Sequence, residues 1–115
     1  MDKFLTQYLV TALWSSIGED NEPLDKKFGI EDIDQSAIDR AKKDCEAFKE
    51  AAGDFLDEYD EGTCGHDFWL TRNGHGAGFW DGDYGDIDGE ELTIISNTFP
   101  GIDLYEGDDG KLYFM

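Results

Sequence analysis

The chain has 115 residues, enough for one domain with a modest core, and its 39% hydrophobic and 14% aromatic residues argue against global disorder. Nine basic residues face 28 acidic ones, a net charge of −19, which repels nucleic acid and anionic lipid alike. No apolar run reaches the roughly 20 residues of a membrane span and no basic-then-apolar signal opens the sequence; with two cysteines in unrelated contexts, the expected setting is a reducing cytosol without disulfides.

Residues 2–17 predict an amphipathic helix. Phe4, Leu5, Tyr8, Leu9, Ala12 and Leu13 recur at three- and four-residue spacing, Asp2 can cap the start, and Gly18 ends it. A polar connector follows, pinned by Leu24, Phe28, Ile30 and Ile33. Residues 36–59 predict a second helix, capped by Ser36, with Ala41, Cys45, Phe48, Ala52 and Tyr59 in its buried stripe and Gly53 as an early break point. Its distal acids, Asp54, Asp57, Glu58, Asp60 and Glu61, oppose the dipole of a helix of that length. A local cost without local gain hints at function.

Residues 67–80 predict a hairpin. Phe68, Trp69 and Leu70 have strand character, Asn73-Gly74 is turn chemistry, and Phe79-Trp80 returns. A short helix is expected over 90–98. A second hairpin pairs 102–105 with 111–114 across Gly107-Asp108-Asp109-Gly110. The expected fold is a single α+β domain, 1–115: a helical part (1–60) packed on a sheet part (61–115), the four-stranded antiparallel sheet being made of the two hairpins with a short helix between them.

The charge is asymmetric. Residues 61–80 hold two acids and one base, whereas residues 81–115 hold ten acids against Lys111 alone. Several chemistries compete for the 65–91 stretch. An EF-hand does not fit: counted from Asp81, Asp86 falls at position 6 and Leu92 at 12, and with Gly89 at position 6 Tyr84 falls at 1 and Ile95 at 12; irregular calcium binding stays open. Cys64, His66 and His75 do not have zinc-pair spacing. His66, Asp67, Arg72, Asn73 and His75 can be read as a small catalytic set or as ordinary turn residues, and no recognised nucleophile motif accompanies them. Base stacking on Phe68, Trp69, Phe79, Trp80 and Tyr84 lacks a positive groove, since Arg72 is the only base between Phe55 and Lys111.

The remaining reading treats the carboxylates as surrogate phosphates. Asp81/Asp83 and Asp86/Asp88 would lie about 6.8 Å apart on an extended chain, near two phosphate steps of about 3.4 Å. The alternative is a merely acidic, solvated surface.

The block GHDFWLTRNGHGAGFWD, residues 65–81, resembles a family of small acidic proteins encoded by bacteriophages and prophages. ALWSS at 12–16, PLD at 23–25 with IEDI at 30–33, and DLYEGDDGKLYF at 103–114 extend the resemblance over nearly the whole chain. The acidic continuation Asp81-Gly82-Asp83 departs from the family pattern, where a base is expected soon after the tryptophan. The resemblance implies a phage context and, by analogy with small acidic inhibitors of host defence, a non-enzymatic partner-binding role without cofactor. The expected partner is the basic nucleic-acid-binding groove of a host protein such as a CRISPR effector, a restriction enzyme or a repair glycosylase. Asp81, Asp83, Asp86, Asp88, Glu90 and Glu91 would contact it, extended by Asp57, Glu58, Asp60 and Glu61, with Trp80 or Tyr84 as aromatic anchor. A metal- or partner-binding accessory protein without mimicry, and a small hydrolase, are the alternatives.

Overall fold

The computed structural model describes residues 1–75, 77–80 and 84–115. Four helices, α1 (Lys3–Ser15), α2 (Gln35–Ala52), α3 (Glu61–Arg72) and α4 (Asp86–Ser96), are joined by short 3-10 turns and closed by one hairpin, β1 (Leu104–Glu106) with β2 (Leu112–Phe114). The expected α1 forms as read: Asp2 caps it by accepting the N–H of Leu5, and its apolar stripe is buried. The second helix starts one residue early, capped by Asp34 rather than Ser36, and stops at Gly53, from which a 3-10 turn runs to Leu56. The C-terminal hairpin forms with Leu104 opposite Phe114 and Tyr105 opposite Tyr113.

The four-stranded sheet does not form among the described residues. Its first expected hairpin is α3 followed by a turn, so the fold is mostly helical with a single two-stranded ribbon. Two physical reasons account for the helix. First, α3 is buried almost all round: Cys64, Gly65, Asp67, Phe68, Trp69, Leu70, Thr71 and Arg72 are all inaccessible, so no exposed face marks a 3.6-residue period. Second, Asn73-Gly74 closes a helix as readily as it turns a hairpin. Gly74 takes φ +69°, its N–H bonds to Thr71 O, and the N–H of His75 bonds to Leu70 O, the paired bonds of a Schellman close.

The core is the seam between α1 and α3. Gly65 makes it possible, because a Cβ there would sit 2.1 Å from the carbonyl oxygen of Phe4. Phe48 from α2 stacks on Phe68 at 4.2 Å, Tyr8 lies 5.3 Å from Trp69 edge-on, and Phe99 meets Phe68 at 5.1 Å. Each such ring or leucine, when fully buried, contributes about 1.5–3 kcal/mol. The Trp69 indole donates to Ser15 Oγ at 2.8 Å. Arg72 fastens the segment after α4 to this core. Its guanidinium donates to Pro100 O from Nε and Nη2, and to Tyr8 Oη and Asp44 Oδ2 from Nη1, lying over the rings of Phe68 and Phe99.

Candidate functional site: an acidic face with an aromatic groove

None of the acids of residues 54–61 prolongs α2. That helix ends at Ala52, so Asp60 and Glu61 open α3 instead. Asp60 accepts the Thr63 N–H at 2.9 Å and Glu61 occupies the first turn, where negative charge favours the dipole. The expected conflict with a helix C-terminus is therefore reversed for these two residues. Backbone and hydroxyl bonds from Thr63 hold the Asp60 carboxyl below its ordinary range.

The same holds at α4, which begins four residues earlier than expected and places Asp86 and Asp88 in its first turn. The extended spacing imagined for that pair does not exist there. On the helix, Asp86 and Glu90 are one turn apart instead, about 5–6 Å between Cβ atoms. Asp81 and Asp83 lie outside the described residues.

Tertiary contacts bring the two acidic segments together. Tyr59, read from the sequence as a core residue of α2, sits between them. Its hydroxyl donates to Asp88 Oδ2 at 2.7 Å and accepts the N–H of Gly85 at 3.2 Å, serving an α4 N-cap residue that has no side chain of its own. The Tyr59 ring packs on Tyr84 at 4.6 Å. Tyr84 in turn donates to Asp67 Oδ2 at 2.7 Å and sets its ring edge-on to Phe79 at 5.1 Å. Burial, then the Asp67 bond, raises the Tyr84 phenol well above its ordinary pKa, so it stays a donor.

Asp57, Glu58, Asp60, Glu61, Asp86 and Glu90 are exposed, and Asp88 and Glu91 partly so. Among the described residues none of them forms an ion pair, although Lys26, Lys27, Lys49, Arg72 and Lys111 all find carboxylates elsewhere. Of the five aromatics considered for stacking, Phe68, Trp69 and Phe79 are core, Tyr84 is a half-buried wall, and Trp80 is 52% exposed. Trp80 lines a groove of about 350 Å³ against α4, together with Phe79, Tyr84, Asp86, Glu90, Thr93 and Ile94. Tyr59 and Ile94 were not legible as site residues. Tyr59 sits 29 positions from Asp88, and nothing in a sequence marks a contact of that range.

The catalytic and metal sets are dispersed. His66 Nδ1 lies 2.9 Å from Asp67 Oδ1, an oriented imidazole on the flank of Trp14. Arg72 is committed to the core, Asn73 bonds Trp69 O and the Ile102 N–H, and His75 lines a separate groove beside Ile17. The nearby Cys64 thiol is pushed up to about 11 by burial, which leaves it protonated and a poor nucleophile at neutral pH. No three potential ligands among His, Cys, Asp and Glu gather as a metal site among the described residues. No helix is long and apolar enough to cross a membrane among the described residues. Comparisons with protein-family models, with curated proteins and with solved structures each found no match.

Proposed function

We propose that the protein is a non-enzymatic acidic inhibitor, carried by a phage or prophage, that occupies the nucleic-acid-binding groove of a host protein. A CRISPR effector, a restriction enzyme or a DNA-repair glycosylase is the kind of target meant. One observation carries the reading. Two acidic segments far apart in the chain are bridged by Tyr59 into one face, and among the described residues none of the face's carboxylates forms an ion pair. Asp60 and Asp88 also serve helix starts, so the contact role falls chiefly on Asp57, Glu58, Glu61, Asp86, Glu90 and Glu91, with Asp81 and Asp83 beside them in the sequence.

Capture from bacterial lysate at low and at high salt tests the proposal. The expected result is a nucleic-acid-binding protein retained at low salt, released at high salt, and displaced by duplex DNA. The purified protein should itself bind neither duplex nor single-stranded DNA. A mobility shift of DNA at micromolar protein would end the mimic reading.

A further inference from the structure

We propose that the groove beside α4 is a seat for an arginine side chain of a protein partner, stacked on Trp80 between Asp86 and Glu90. The inference rests on the reading that this face addresses a basic protein surface, and it names the side chain that anchors it. Phe79 and Trp80 are neighbours with opposite fates: Phe79 is 1% exposed and Trp80 is 52% exposed. A large ring left in water at the lip of a groove is free to take a ligand. Tyr84 cannot serve as that anchor, because its hydroxyl is held by Asp67 and its ring is packed on Tyr59 and Phe79.

The chemistry of the lining selects the occupant. Asp86 and Glu90, one turn apart on α4, are like charges that disfavour each other, and neither forms an ion pair among the described residues. A cation placed between them relieves that repulsion. Trp80 and Ile94 give the groove an apolar wall that a strongly hydrated ammonium does not use well. A guanidinium is planar, weakly hydrated, stacks on indole, and can fork to carboxylates. Free arginine, whose α-ammonium and α-carboxylate cancel, brings one net positive charge, whereas a basic protein surface brings several cations into the field of a chain with net charge −19. The charge therefore favours a protein-borne side chain over the free amino acid.

The test uses the full chain and three probes: a tri-arginine peptide with acetylated and amidated ends, the matching tri-lysine peptide, and free arginine. Binding is measured by titration calorimetry for every variant, and in proteins that keep Trp80 also through its indole N–H resonance, assigned by its loss in Trp80→Phe. The capped arginine peptide should bind about fivefold tighter than the lysine peptide, and free arginine much more weakly than either. Trp80→Ala should abolish the arginine preference while leaving charge-driven binding, and Glu90→Gln should weaken both peptides. Equal affinity for the two peptides, a preference that survives Trp80→Ala, or free arginine binding as tightly as the capped peptide would each overturn the assignment. Arginine preference without any captured nucleic-acid-binding protein sustains the seat and removes the mimic. Capture of such a protein by wild type and Trp80→Ala alike, with no peptide preference, does the reverse.

Discussion

The α1–α3 seam and the α4 face use charge in opposite ways. In the seam, the guanidinium of Arg72 is buried, and its donors reach Pro100 O, Tyr8 Oη and Asp44. At the α4 face and its neighbour 57–61, carboxylates are brought together without an ion pair among the described residues. A buried ion is tolerable only when its hydrogen-bonding capacity is met, so the core charge must be paired. An exposed carboxylate has water, so pairing is optional, and under the function proposed above an unpaired one is left for the partner. Stability should therefore be concentrated in the seam and recognition on the acidic face, and substitutions can separate the two.

The largest loss of stability is expected at Arg72. Arg72→Ala strands the Tyr8 hydroxyl and the Pro100 carbonyl and should cost about 3–5 kcal/mol in denaturant unfolding. Asp44→Asn should cost far less, because that carboxylate is partly exposed and the amide oxygen can still accept. Retention of full stability in Arg72→Ala would mean the seam does not depend on its charge.

Gly65→Ala comes next. Alanine favours helix over glycine by about 1 kcal/mol, yet its Cβ would meet the Phe4 carbonyl at 2.1 Å, a backbone contact that cannot rotate away. The clash wins, and a net loss of about 1–3 kcal/mol is expected from thermal unfolding. Trp80→Ala, at the other region, should change stability by less than about 0.5 kcal/mol.

Neutralising the acidic face should do the reverse of both. Asp57→Asn, Glu58→Gln, Asp86→Asn and Glu90→Gln combined should unfold at an equal or higher temperature at low salt, because self-repulsion falls. Association with a captured target should slow markedly and lose much of its salt dependence, as measured by surface kinetics. Slower dissociation or an unchanged association rate would place recognition away from this face.

The smallest effect concerns acid pH. Hydrogen bonds from Lys49 to Asp2, from Ser36 to Asp34 and from Thr63 to Asp60 hold these capping carboxyls below the ordinary 3.8. A folded pKa below the unfolded one gives stability that is present above the unfolded value and is lost as pH falls through the folded one. The first turns of α1, α2 and α3 should thus fray below about pH 3.8, visible as weakened amide protection there. Asp60→Asn should make the α3 start less sensitive to that descent.

Part of this molecule was decided by local chemistry and is legible in the residues alone. The apolar stripe of α1 with its Asp2 cap, the break of α2 at Gly53, the Asp-Gly turn of the closing hairpin and the one-sided acidity after residue 80 each need only near neighbours. Other features had to wait for the tertiary structure. The run from Cys64 to Arg72 is a helix because α1, Phe48, Phe99 and Pro100 surround it, and a segment buried on every side has no exposed face to give its period away. The acidic face exists because Tyr59 reaches Asp88 and Gly85, which lie 29 and 26 positions away. Trp80 stays half exposed while Phe79 enters the core, its N–H bonded to Thr71 Oγ1 and its ring packed on Phe48 and Tyr84, and which of two adjacent aromatic rings faces inward is set by such contacts and by neither ring's own chemistry.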